Sequence, residues 1–100
     1  MILITARAKV HADQRDAAIA AAADMCKASG AEDGCLEYSF WVAGEDDLTL
    51  MVFEKWDNEQ ALAAHMSTPH MATFVGALGP VLDGGMDALK HQVSSVGPLF

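Results

Sequence analysis

Hydrophobic periodicity along this 100-residue chain predicts an α+β fold with the element order β-α-β-β-α-β. Three observations predict it. Segments 2–10, 35–43 and 48–56 alternate as strands do, whereas 14–28 and 58–78 carry apolar residues at helical spacing. Gly44-Glu45-Asp46-Asp47 joins the second and third strands tightly enough to make them an antiparallel hairpin. Capping residues sit where the periodicity changes. This order gives a ferredoxin-like antiparallel sheet with its helices on one face.

The elements follow in turn. In the first strand Ile2, Ile4, Ala6, Ala8 and Val10 share one parity, and Leu3, Thr5, Arg7 and Lys9 the other. Asp13 is a good N-cap for a helix from Gln14 to Ala28, with a stripe of Ile19, Ala22, Ala23 and Cys26. Lys27 favours its C-terminal end and Gly30 supplies the stop. In the second strand Leu36, Tyr38, Phe40 and Val42 share a face opposite Cys35, Glu37, Ser39 and Trp41. In the third, Leu48, Leu50, Val52, Glu54 and Trp56 lie opposite Thr49, Met51, Phe53 and Lys55. Asp57-Asn58 caps a short helix through Met66, with Ala61, Leu62, His65 and Met66 as its stripe. Thr68 as N-cap and Pro69 in the first turn restart a helix carrying Met71, Phe74, Val75 and Leu78. Gly79-Pro80 ends it, Gly84-Gly85 reads as a loop, and Met86 to Val96 as the last strand. Both faces of the hairpin carry large apolar groups, which a sheet with one wet face avoids. A second subunit is expected to cover the face without helices.

The length suits one domain spanning 1–100. The hydrophobic fraction is 52%, but eighteen of those residues are alanine, which adds helix propensity more than core volume. The longest apolar run, Ala17 to Ala23, is far short of the roughly 20 residues of a membrane span. The N-terminus has no basic leader before an apolar stretch, so no secretory signal is expected, and a reducing cytoplasm is the expected compartment for Cys26 and Cys35. With 14 acidic residues against 6 basic ones, and no Lys/Arg cluster, neither nucleic acid nor an anionic membrane surface is an expected partner.

His65 is the most informative residue. It shares a stripe with Leu62, so it is either a hydrogen-bonded core histidine or a general base facing a cavity. Glu54, among Val52 and Trp56, must be paired, reach solvent or carry a raised pKa. Trp56 needs a partner for its indole N–H if buried. Tyr38 is either core or a cavity-lining donor, and His91 could line the same space. Arg7 points to a subunit contact and His11 to a loop. His70 follows His65 by five positions across a helix break, not the four of paired helical ligands, so no metal site is expected. No phosphate loop, Rossmann glycine pattern or G-x-S-x-G elbow is present, and no cofactor is expected.

Gly34-Cys35-Leu36-Glu37-Tyr38 resembles the G-C-x-x-Y opening of strand two in the antibiotic biosynthesis monooxygenase (ABM) domain family. Glu54-Lys55-Trp56 resembles its E-x-W end of strand three. Ala61-Leu62-Ala63-Ala64-His65, followed by Ser67-Thr68-Pro69-His70 and Phe74, resembles its second-helix motif. The resemblance implies a homodimer whose two sheets pack as a dimeric α/β barrel, with a pocket in each subunit between sheet and helices. It implies oxidation of a quinol or polycyclic phenol by O2 without a cofactor. An electron-rich phenolate can pass one electron to oxygen, so such an enzyme need only deprotonate and hold its substrate. His65 would be the base, with Glu54 orienting a histidine, and Trp56, Tyr38, His70 and Phe74 would contact substrate. Haem-degrading relatives use an Asn on strand one, a Trp on helix two and a later His. Here Ala6-Arg7, His65 and Val75 stand near those places, which disfavours that reaction. Other relatives process small sugar-derived signalling molecules.

The reading is therefore a cytoplasmic, cofactor-independent monooxygenase. Two alternatives stand beside it. One is an isomerase or other proton-transfer enzyme of a small carbonyl signalling metabolite, using His65 and Glu54. The other is a non-catalytic protein that binds a small aromatic.

Overall fold

A computed structural model describes residues 1–100. Four strands, β1 (Ile2–Val10), β2 (Cys35–Val42), β3 (Thr49–Trp56) and β4 (Leu82–Gln92), form one antiparallel sheet in the order β2-β3-β1-β4. Helices α1 (Arg15–Gly30), α2 (Glu59–Met66) and α3 (Pro69–Leu78) supply the connections. This is the α+β, ferredoxin-like arrangement that the element order predicts. No helix is long and apolar enough to cross a membrane.

Local chemistry sets most boundaries. Asp46 closes the β2–β3 turn: its carboxylate accepts from the Leu48 N–H and the Thr49 hydroxyl, each at 3.0 Å. Those two bonds, with Lys9 nearby, hold its carboxyl below the usual range. The Asn58 side chain accepts from Ala61 N–H at 2.9 Å and opens α2. Thr68 accepts from Met71 N–H and opens α3, with Pro69 at its first position. The core is divided. Val10, Ala18 and Val81 pack with Leu50, Leu78 and Leu82 at one end of the sheet. Trp56, Glu54 and His65 are buried at the other.

The structure corrects several expectations. Asp13 lies inside a 3-10 turn, Ala12–Gln14, and caps nothing; α1 begins at Arg15. Its buried residues are Ala18, Ala22, Met25 and Ser29, while Ala23 is exposed. The short alanines left the stripe degenerate, and packing on β2 and α3 chose its phase. Gly30 is helical; the left-handed residue is Gly34, at φ +80°. A bulge between Cys35 and Glu37 rotates the start of β2. It puts Cys35 on the Tyr38 face and leaves Leu36 exposed. Gly84-Gly85 is not a loop. β4 begins at Leu82, runs through both glycines and stops at Gln92. The register against β1 shifts between Ala8 and Val10, and Gly84, at φ +103°, supplies the conformation that the irregularity needs.

Candidate functional site

The sheet face under the helices carries Ile4 and Ala6 from β1, Val52 and Glu54 from β3, Tyr38 from β2, and Met86 and Ala88 from β4. Leu62, His65, Met66, Met71, Phe74, Val75 and Leu78 roof it from α2 and α3. Between them lies an apolar cavity of about 360 Å³, within the range of about 300–1,000 Å³ typical of small-molecule sites. Its polar groups are few: Tyr38, Glu54, His65, and Lys90 at the β4 edge. Lys90 and Gln92 both bond Glu59, at 3.2 and 2.7 Å, tying β4 to the start of α2.

His65 is 1% exposed. Its Nδ1 lies 2.7 Å from Glu32 Oε2. An ionised carboxylate only accepts, so Nδ1 carries the hydrogen, and in the neutral ring Nε2 keeps its lone pair. That nitrogen is 3.9 Å from Glu54 Oε1. The same Glu32 oxygen accepts from His70 Nε2 at 2.8 Å. Glu54 is 7% exposed and accepts the Trp56 indole N–H at 2.9 Å. Burial pushes the Glu54 carboxyl upward; the Trp56 hydrogen bond and His65 pull it back, and Glu32 adds repulsion. Burial, and then the Glu54 charge, push the Tyr38 phenol far above its ordinary value. Tyr38 therefore stays a hydroxyl, able to donate. Burial first, with Glu54 behind it, also raises the Cys26 thiol, and burial with Glu32 and Glu54 raises Cys35. Neither cysteine has the depressed pKa of a nucleophile.

The structure thus brings Tyr38, Glu54, His65 and Phe74 to one cavity. Trp56 is not in its wall. It is fully buried behind His65, their ring centroids 4.6 Å apart, and donates its indole N–H to Glu54. His70 opens onto a separate groove between α1 and α3, with Asp24, Met25 and Thr73. His91 is on the other side of the sheet, 3.0 Å from Thr5, because β1 pairs Leu3 with His91 and both point away from the helices. Glu32 was not among the expected residues. It lies in the short α1–β2 connection, where no periodicity marks it. The available signal was the pair of histidines at the α2–α3 break, whose ring nitrogens need an acceptor. Glu32, His65 and His70 also form the one group of ligand-type side chains whose donor atoms all lie within 4.8 Å of one another.

A sequence model of the antibiotic biosynthesis monooxygenase family matches residues 1–77. The chain belongs to this family. The protein named "Putative monooxygenase YcnE" from Bacillus subtilis is 28% identical over 94 residues, covering 94% of this chain and 99% of that one. The uncharacterised protein sll1783 of Synechocystis is 34% identical over 74 residues, 74% of this chain and 50% of its own length. The chain thus spans about half the length of that relative. Among solved structures, a Bacteroides thetaiotaomicron protein of unknown function, described as a possible oxidoreductase, superposes with a TM-score of 0.84 at 30% identity. It covers 90% of this chain and 94% of that one. The crystal structure of a "putative antibiotic biosynthesis monooxygenase" from Deinococcus radiodurans reaches a TM-score of 0.93 at 19% identity, over 100% and 99% of the two chains, and shows the shared fold. In this ABM chain the residues matched to the family, 1–77, include Glu32, Tyr38, Glu54, His65 and His70. Beyond them β4 completes the sheet against β1.

Proposed function

We propose that this ABM protein is a cofactor-independent monooxygenase that oxidises a quinol or polycyclic phenol with O2. The observation that carries the reading is the Glu32–His65 pair beside a largely apolar cavity. Glu32 fixes the ring by its Nδ1–H and would stabilise the imidazolium formed when Nε2 takes a proton. The apolar walls exclude water, which strengthens that transfer and protects radical intermediates.

For an anthrone-type substrate the steps balance. His65 removes one proton from the ring system, and the resulting phenolate passes one electron to O2. The radical pair combines at carbon to form a peroxide anion, which the His65 imidazolium protonates. Loss of water from the hydroperoxide converts the original CH2 to a carbonyl. Tyr38 would donate to the substrate oxygen, and Phe74 would pack against the rings.

A second reading rests on the same cavity. His65 and Glu54, 3.9 Å apart, form a base and acid pair suited to proton shuttling in a small carbonyl compound.

The sheet face without helices supports a homodimer. Trp41 and Leu89, 58% and 53% exposed, lie there with Leu3, Met51 and Phe53. A second copy of this face would cover them and close an α/β barrel. We also read residues 1–100 as one domain.

Oxygen uptake with hydroquinones and anthrones, corrected for autoxidation, tests the reaction in wild type and His65→Ala. Saturable uptake lost in the variant is expected. Uptake no greater than background refutes the monooxygenase. Uptake equal in both proteins removes His65 as its base. Substrate deuterium exchange without oxygen consumption would favour the second reading.

A further inference from the structure

The geometry points to a binding site for a first-row divalent transition cation, such as zinc, formed by Glu32, His65 and His70. Three elements deliver the ligands: the α1–β2 connection, the last turn of α2 and the first turn of α3. An unbroken helix of about 3.6 residues per turn would set positions 65 and 70 roughly 140° apart. The break between α2 and α3 removes that obstacle. Thr68 caps α3 and donates to the His65 carbonyl at 2.8 Å, so the bend is held and both rings face one carboxylate oxygen. The donor set is two imidazole nitrogens and one carboxylate oxygen, which suits zinc, cobalt and iron better than magnesium or calcium. Ligand bonds of about 2.0–2.2 Å set neighbouring donor atoms roughly 3–3.5 Å apart. The Glu32 oxygen already stands 2.7 and 2.8 Å from the two nitrogens, so a small opening admits the ion.

Two further observations mark this as a site and not only a hydrogen-bonded cluster. Behind His65, Nε2 faces Glu54 Oε1 at 3.9 Å, and Glu54 is itself held by the Trp56 indole at 2.9 Å. At 3.9 Å the two do not hydrogen-bond, but an approach of about 1 Å once Nε2 carries the proton would make the carboxylate–histidine bond that orients metal-bound imidazoles. In front, His70 is 28% exposed and borders the α1–α3 groove, which gives the cation a route independent of the substrate cavity. With three protein ligands, the remaining coordination positions go to water.

Binding changes the tautomer of His65. The cation takes Nδ1, the proton moves to Nε2, and Nε2 then donates towards Glu54. The lone pair on Nε2 is lost. If His65 is the base of the oxidation proposed above, the cation therefore inhibits it; this consequence alone rests on that reading.

The test is a titration of the metal-stripped 100-residue chain with Co2+, read by its visible absorption, followed by Zn2+ competition. One Co2+ per chain is expected, displaced by Zn2+. His70→Ala, which removes a partly exposed ligand, and Glu32→Gln should each weaken binding at least tenfold. Glu54→Gln, acting behind His65, should weaken it about tenfold. His91→Ala, on the opposite sheet face, should change nothing, and far-UV circular dichroism checks that each variant is folded. No saturable binding by the wild type overturns the proposal. So does binding unchanged in folded His70→Ala and Glu32→Gln. Neither readout requires turnover. Metal binding without oxygen uptake would refute only the oxidation, and oxygen uptake without metal binding would refute only the cation site.

Discussion

Gly34→Ala tests how the Glu32 connection is held against α2. Gly34 has φ +80°, and a Cβ placed there would stand 2.5 Å from the Ala61 Cβ. The Gly34 carbonyl also accepts from Asp57 N–H at 2.8 Å, so the backbone cannot swing away without losing a bond. The left-handed conformation costs an L-residue about 1–2 kcal/mol. Forcing one methyl into the α2 contact adds about 1–3 kcal/mol. Loss of unfolded-chain freedom returns about 0.4–1 kcal/mol. The expected net destabilisation is roughly 1–4.5 kcal/mol, a large share of the ~5–15 kcal/mol that holds a typical domain together. Urea denaturation at unchanged m-value measures it. Adding Ala61→Gly removes the 2.5 Å clash but not the backbone strain. The double variant should therefore be more stable than the sum of the two single losses predicts, by about 1 kcal/mol or more. A Gly34→Ala loss below about 1 kcal/mol, or strictly additive effects, would refute the reasoning.

Three other outcomes are expected. Burial holds the folded Glu54 carboxyl above its ordinary 4.5. Between 4.5 and that raised value the native state binds more protons than the unfolded one, so this group's contribution falls as pH rises and is flat above the window. Glu54→Gln should gain stability relative to wild type across that window, and paired urea titrations showing a constant difference would contradict it. Thr68→Ala removes the α3 cap and the bond to the His65 carbonyl, at a cost of about 1 kcal/mol; an unchanged denaturation midpoint would count against the cap. Trp41→Glu places a charge on the exposed face without helices; if that face closes the proposed homodimer, the variant should sediment as a folded monomer while wild type sediments as a dimer. An unaltered dimer would show that this face is not the interface.

The sequence by itself determined the order of elements, the strand partners of the hairpin and the helix break at Thr68-Pro69. Those signals are local: periodicity, caps and turn residues act within a few positions. It also named Tyr38, Glu54, His65 and Phe74 as candidates, and the structure brings them to one cavity. Parity failed where pairing inserted irregularities, at Leu36 and at Gly84-Gly85, because a bulge is decided by the neighbouring strand. It failed for His91 because the face of β4 depends on its register with β1. Glu32 was silent because its partners are 33 and 38 positions away. Only the tertiary structure could bring one carboxylate oxygen between two histidines, since burial and chain closure, not local preference, set that contact.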